Sequence, residues 1–189
     1  MYLKNKFISL KKFLKKFIQL NLPTTKAFLL LLLPAIFFAQ NSQAQIVDSS
    51  FYRWKVYEIQ EDELSPKQCY IVSHPIKSES DQVSRKKPYF MIARFQRQRS
   101  EEVSVYGGFE YKLNSKIFVA IDDNQFQFLA GKDMAWTKNT GEDIAVIKAI
   151  LNSATIKIRG DSAIGNFAID EYSLQGITKA YARMREICK

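Results

Sequence analysis

Polar and apolar residues alternate with a period of two along much of the chain after residue 50, and this pattern predicts β-strands. The apolar positions that alternate in this way are Tyr52, Trp54, Val56, Tyr89, Met91, Ala93, Phe95, Ile117, Val119, Ile121, Phe126, Phe128, Ile156 and Ile158. About nine short strands separated by turn residues follow from the pattern. They favour a mainly β fold, an antiparallel β-sandwich or barrel-like single domain, with Trp54 and Trp136 at inward positions in its core.

Two segments change to a helical period and add one internal helix and one C-terminal helix. The internal helix, residues 140 to 152, opens with a Thr-x-x-Asp sequence that resembles a capping box. It places Ile144, Ile147 and Leu151 on one face. The C-terminal helix begins near Ser173, a residue type suited to an N-cap.

The first 44 residues form a leader that resembles a signal peptide. A long lysine-rich n-region precedes the apolar run AFLLLLLPAIFFA, which is too short to cross a bilayer as a helix. Small residues before the end of the leader predict cleavage after Ala44, which leaves residues 45 to 189 as one β domain with no transmembrane span. The predicted location is the periplasm or the exterior, and an uncleaved anchor is the alternative.

Charge argues against a nucleic-acid partner for the mature chain. The whole chain has 28 Lys+Arg against 19 Asp+Glu, a net charge of +9. Seven of the lysines and none of the acids lie in residues 1 to 44, so the remainder is close to neutral at +2. A basic balance that belongs to the leader gives no support to nucleic-acid binding.

The apolar stripe of the C-terminal helix leads to a cysteine at the end of the chain. Leu174, Ile177, Tyr181 and Met184 recur at spacings of three and four, and the next position on that stripe is Cys188. The other cysteine, Cys69, lies in the predicted strand QCYIV. Export places both thiols in an oxidising compartment, which predicts a Cys69–Cys188 disulfide. Two free thiols, or one thiol reserved for another molecule, are the alternatives.

Residues that could support catalysis or bind a metal ion are sparse. His74 is the single histidine, so a zinc site lacks its usual ligands, and no G-x-S-x-G motif is present. Ser162, in Gly-Asp-Ser, resembles the nucleophile of GDS-type esterases, but no histidine follows it and turn chemistry explains the motif. Asp122, Asp123 and Asn124 do not have calcium-loop spacing and indicate a turn. We therefore expect no enzyme activity, no cofactor and no metal.

A polar stretch, residues 77 to 87, is predicted to be a loop and leads into the densest cationic cluster of the mature chain. This cluster is a candidate patch for an acidic partner, and it comprises Arg85, Lys86, Lys87, Arg94 and Arg97. A run of charges on a solvated loop is the alternative interpretation.

A set of motifs in a fixed order, from about residue 51 to residue 188, resembles the invasion-associated locus B family of alphaproteobacterial envelope proteins. The motifs are FYRWKVY, CYIVSHP, KKPYFMIARF, EVSVYGGFEYK, FVAIDDNQFQFLAGKDMAW, ATIKIRGDSAIG and DEYSLQGITKAYARMREIC. Cys69 and Cys188 fall on the family's cysteine positions, whereas Arg85-Lys86-Lys87 replaces its usual arginine-glycine entry to the Pro-Tyr strand and the leader is longer.

The resemblance implies a small secreted or periplasmic β-rich domain without established catalytic residues or cofactor. Some relatives assist the entry of intracellular bacteria into host cells. We therefore expect a non-enzymatic envelope protein that acts by binding an unidentified protein, envelope or host-surface partner. The alternative is a periplasmic module that binds a glycan or another small ligand in an apolar pocket with a few polar groups.

Overall fold

The computed structural model describes residues 45–60, 66–81 and 84–189, and the predicted leader lies outside the described residues. The described part contains two helices, α1 (Thr140–Ile150) and α2 (Ile177–Ile187). It also contains the strands β1 (Gln45–Phe51), β2 (Trp54–Ile59), β3 (Gln68–Ser73), β4 (Lys77–Ser80), β5 (Tyr89–Phe95), β6 (Ser100–Tyr106), β7 (Lys116–Ile121), β8 (Asn124–Ala130), β9 (Met134–Trp136), β10 (Thr155–Asp161) and β11 (Phe167–Ser173).

These strands form one open antiparallel sheet in the order β1-β2-β3-β5-β6-β9-β8-β7-β10-β11-β4. The sheet curves so that strands far apart in this order meet across the core. The ring of Phe90 on β5 lies 6.2 Å from that of Trp54 on β2 and 6.1 Å from that of Tyr172 on β11, measured between centroids. The predicted mainly β, sandwich-like fold with one internal and one C-terminal helix is confirmed.

The core is built from one face of each long strand. On β5 this face carries Phe90 and Ile92, both fully buried. Tyr89, Met91, Ala93 and Phe95 do share a face, as the sequence predicts, and it is the opposite one. Strand β5 is therefore apolar on both faces, and its second apolar face belongs to the outer surface of the sheet.

The two tryptophans differ in their position. Trp54 is fully buried, as predicted, and its Nε1–H donates to the backbone oxygen of Ser173 at 3.0 Å. The prediction of an inward Trp136 is wrong, because β9 places Ala135 in the core and Trp136 on the outer face. A strand of three residues contains too little alternation for the sequence to show which of its faces is buried.

Both edges of the sheet are strands that the sequence does not predict. The predicted loop at residues 77 to 87 begins with β4, whose four residues are all exposed and pair with β11. At the other edge β1 pairs with β2 through a register shift near Asp48. These edge strands pair with a neighbour on one side only and most of their residues are exposed, so neither shows a regular alternation of burial. Tyr52, predicted to alternate with Trp54, lies in the β1–β2 turn with φ 56° and is exposed.

Helix α1 begins at a different cap and is rotated relative to the predicted face, of which Ile147 is buried and Leu151 is partly buried as predicted. Asn139, not Thr140, is the N-cap, and its side-chain oxygen accepts a hydrogen bond from the Glu142 amide at 3.0 Å. The buried side chains are Asp143, Val146, Ile147 and Ile150. Ile144, predicted to face the core, is 63% exposed.

The contacts of Asp143 explain why helix α1 is rotated about its axis relative to the predicted orientation. Strand β9 pairs with β6 only from Ser104 to Tyr106, so the Val103 amide at the next position has no strand partner on that side. The Asp143 carboxylate accepts from this amide at 2.9 Å and from the Thr137 hydroxyl at 2.6 Å. Because a buried amide needs an acceptor, this polar contact fixes the orientation of the helix.

Alanine substitutions test the buried face of α1. We expect Ile147→Ala to lower the free energy of unfolding by about 2–4 kcal/mol, because it leaves a cavity under the helix. Ile144→Ala, the matched control, is expected to change it by about 0.5 kcal/mol or less, since its side chain is in solvent. Urea unfolding followed by circular dichroism measures both values. Equal losses for the two variants would contradict this orientation.

Helix α2 joins the end of the chain to the interior of the sheet. The predicted stripe is confirmed for Leu174, Ile177, Met184 and Cys188, which are all buried. The helix begins after Gly176 in the left-handed region, φ 91°, and not at Ser173, the last residue of β11. The disulfide between Cys69 and Cys188 is confirmed, with Cα atoms 5.9 Å apart.

Candidate functional site: an outer aromatic face

The predicted cationic cluster is divided between two places in the fold. Arg85 lies before β5, and its guanidinium donates to both carboxylate oxygens of Asp170 on β11 and to the backbone oxygen of Gly107. Its side chain is 10% exposed and that of Asp170 is 4% exposed. The cation also lies 5.0 Å from the ring centroid of Phe109. Arg85 is therefore part of a buried ion pair.

Arg94 lies near the other end of β5, roughly 16 Å further along the extended strand from Tyr89, its first residue. It donates to the backbone oxygen of Cys188 at 3.1 Å and pairs with Glu101 at 2.8 Å. Lys86, Lys87 and Arg97 are exposed. Binding of an acidic partner by the cluster stays a prediction, and the two internally paired arginines contribute little exposed charge to it.

The two residues considered for catalysis, His74 and Ser162, each contact nearby backbone. His74 Nδ1 lies 2.7 Å from the backbone oxygen of Pro88. Ser162 is buried, and its Oγ accepts from the Ile164 amide at 3.2 Å, an arrangement typical of a turn. Asp122 has φ 47° in the turn between β7 and β8. In the parts of the chain that the structure describes, no group of three His, Cys, Asp or Glu side chains could hold a metal ion.

The outer face of the sheet carries a group of aromatic side chains that we call the aromatic face. It is formed by one residue from each of five neighbouring strands: Tyr57, Tyr70, Tyr89, Tyr106 and Trp136. Tyr57 stacks on Tyr70, and Tyr89 on Tyr106, with centroids 5.0 Å apart in both pairs. Each pair is directly opposite in the strand register, so stacking follows from the fold.

A depression lies within this face where the register places a small residue between larger ones. Tyr70, Ala93 and Glu102 are directly opposite one another on β3, β5 and β6. Tyr70 and Glu102 are thus two strand spacings apart, about 9–10 Å. Ala93 leaves open the space above it, and Met91 and Phe95 line that space along β5. The result is an open depression of about 390 Å³.

Glu102 is the charged residue of the depression. Its side chain is half-buried, and burial raises its pKa above the ordinary value, with the negative charge of Asp143 adding to the effect. The nearby indole N–H of Trp136 acts in the opposite direction and lowers the pKa. Among the described residues Glu102 forms no ion pair with a lysine or arginine. Glu102 is therefore a half-buried carboxylate with apolar neighbours and no lysine or arginine partner among the described residues.

The hydroxyl of Tyr70 is the second polar feature. Tyr70 is 8% exposed, and its hydroxyl oxygen is buried without a hydrogen-bond partner among the described residues. Burial, followed by the neighbouring Tyr57 and Tyr89, raises the pKa of Tyr70 to about 12, so the hydroxyl keeps its proton. The hydroxyl of Ser104, on the same face, is also buried and without a partner there. Such groups are uncommon in folded proteins.

The sequence contains one signal for this outer apolar face, although that signal does not by itself predict a binding site. In PYFMIARF the residues of both faces are largely apolar, which is unusual for an antiparallel strand with one face in water. The partners of β5 on the outer face, Tyr70 and Glu102, are identified only by the register. No motif marks them.

Among solved structures, the crystal structure of invasion associated protein B from Bartonella henselae has a similar fold. The superposition gives a TM-score of 0.50 at 11% sequence identity, and it covers 74% of this chain and 96% of that chain. No protein-family model and no curated protein matches the sequence. The resemblance read from the motifs is thus supported at the level of the fold.

Proposed function

We propose that this chain is an exported envelope protein of the invasion-associated locus B type that acts by binding and not by catalysis. Its binding surface is the aromatic face, and its partner lies in the envelope or at a host surface. The disulfide supports export, because such bonds persist in oxidising compartments. The leader pattern and the fold shared with invasion associated protein B support the same proposal. Among the described residues, neither helix has the length and apolar character that crossing a bilayer requires.

The observation that carries this proposal is the outer face of β5 and its neighbours. An antiparallel sheet with one face in water normally alternates apolar inward and polar outward residues. Here Tyr89, Met91 and Phe95 lie on the outer face, each of them only partly covered. Contiguous apolar surface of this kind marks interaction sites on soluble domains. Tyrosine and tryptophan are also the residues most enriched at binding surfaces.

A second candidate function, a module for a small ligand, is favoured by the depression above Ala93. Small-ligand sites are concave and mostly apolar, and contain a few polar groups that fix orientation. The Glu102 carboxylate and the side-chain amides of Gln45 and Gln68 are groups of this kind in the depression. The positions of His74 and Ser162, whose side chains bond to nearby backbone, support binding over catalysis.

Site-specific photo-crosslinking in the producing cell tests the aromatic face. A photoreactive residue replaces Met91 in one protein and Leu113, an apolar residue that is 80% exposed, in the control. We expect adducts by intact mass at position 91 and not at position 113. Fractionation of the same cells and the intact mass of the isolated protein test export, since they locate the protein and show whether residues 1 to 44 are removed. Equal labelling at both positions, or a cytoplasmic protein that retains its leader, would overturn the proposal.

A further inference from the structure

The depression combines one negative charge with aromatic and apolar walls. Glu102 is the only acidic or basic residue among the described residues that line it, and Tyr57, Tyr70, Met91 and Phe95 surround it. A carboxylate removed in part from water is unfavourable without a positive partner. The rings of tyrosine and phenylalanine have negative faces that attract cations, and their edges and carbons attract alkyl groups. Both features favour a ligand that carries positive charge on an apolar body.

Burial of the Tyr70 hydroxyl limits the polar groups that a ligand can reach. Its oxygen is buried without a partner among the described residues, so a ligand in the depression meets the ring of Tyr70 and not its hydroxyl. Tyr70 and Glu102 stand on opposite sides of Ala93 in one cross-strand row. A ligand seated above Ala93 therefore lies between the ring of Tyr70 and the Glu102 carboxylate. The volume of about 390 Å³ corresponds to a small molecule.

We infer that the depression above Ala93 binds a free small organic cation, an alkylammonium compound. Its ammonium group lies against the Glu102 carboxylate, and its alkyl carbons lie against Tyr70, Met91 and Phe95. This inference rests on the proposed function, because it names the ligand of the same surface.

Glycans also bind to aromatic platforms, but this depression favours the cation. The described lining contains the Glu102 carboxylate, the side-chain amides of Gln45 and Gln68 and the phenols of Tyr57 and Tyr89, so hydrogen-bonding groups alone do not separate a sugar from a cation. A neutral sugar would leave the Glu102 carboxylate without a positive partner, whereas a cation supplies one.

Titration followed by nuclear magnetic resonance tests the inference on the purified protein. The probes are choline, putrescine, the neutral carbon isostere of choline (dimethylbutanol) and a neutral glucose oligomer. We expect at least one of the two cations to shift the amide signals of β3, β5 and β6 and to bind at least about tenfold more tightly than the neutral isostere, because charge pairing is lost in the isostere. Equal binding of the cation and its isostere, or binding of the oligosaccharide alone, would overturn the inference.

Variants locate the bound cation. Glu102→Gln keeps the shape of the side chain and is expected to weaken binding by about tenfold or more, whereas the exposed Glu110→Gln is expected to leave it unchanged. Tyr70→Phe, which removes the buried hydroxyl and keeps the ring, is expected to leave binding unchanged. If Glu102→Gln is folded by circular dichroism and binds as tightly as the parent, the inference is wrong.

The two proposals fail separately. Crosslinks at position 91 without binding of any cation would contradict the ligand assignment and leave the aromatic face as a binding surface. Absence of both would contradict the proposed function as well. Ala93→Leu, which fills the depression, is expected to abolish cation binding and completes the set.

Discussion

Reduction of the Cys69–Cys188 disulfide is expected to lower the free energy of unfolding by about 4–5 kcal/mol. The bond joins residues 119 positions apart, and in the chain-entropy model a loop of this size restricts the unfolded chain by that amount. A loss of this size is a large fraction of the total stability of a domain. Urea unfolding of the purified protein with and without a reductant measures it, because both samples contain the same side chains.

The double variant Cys69→Ala/Cys188→Ala is the control for the reductant, since its unfolding curve must be the same in both conditions. Hydrogen exchange adds a local test. Arg94 donates to the backbone oxygen of Cys188, and Tyr181 donates to Glu101, so the last turns of α2 have contacts besides the disulfide. We therefore expect faster exchange in α2 after reduction, with native spectra retained by the sheet. A reduced protein as stable as the oxidised one would contradict this role for the bond.

The sequence predicts a strand or helix correctly where the spacing of apolar residues within that one segment shows which side is buried. The alternation at Ile156 and Ile158, both buried, specifies a strand and its inner face. The spacing from Ile177 to Cys188 specifies the buried side of α2 in the same way. In α1 the spacing was misleading, because the contact of Asp143 with the Val103 amide depends on where β9 ends. A hydrogen bond between residues 40 positions apart does not change the spacing of apolar residues within the helix, so the sequence does not show it.

The candidate site was not predictable for a related reason. Period-two spacing shows which residues of β5 share a face, but it does not show which face meets the core when both are apolar. The depression requires Tyr70, Ala93 and Glu102 to be opposite one another, and they belong to three strands whose register is set by the whole sheet. For the cationic cluster, the sequence shows the charges of Arg85 and Arg94 but not the carboxylates of Asp170 and Glu101 that pair with them.

Substitution of Arg85 is expected to have the second large effect on stability. Arg85→Met keeps much of the side-chain volume but leaves the Asp170 carboxylate buried without its cation, and we expect a loss of about 3–5 kcal/mol in the free energy of unfolding. Ser78 donates to the same carboxylate and cannot replace the charge. Arg85→Lys is expected to recover only part of the loss, because an ammonium group cannot bond both carboxylate oxygens and Gly107 in the same fork geometry.

Arg159 provides a matched control on the neighbouring strand. It also pairs with an aspartate, Asp161, and also lies over an aromatic ring, but the two side chains are 53% and 49% exposed. Arg159→Met is expected to cost about 1 kcal/mol or less, since solvent screens the exposed pair. Combining Arg85→Met with Asp170→Leu removes both charges and is expected to restore part of the stability that Arg85→Met loses, because no buried charge then remains. If the double variant is less stable than the single one by the full cost of Asp170→Leu alone, the two residues do not interact, and the stabilising role of this ion pair is refuted.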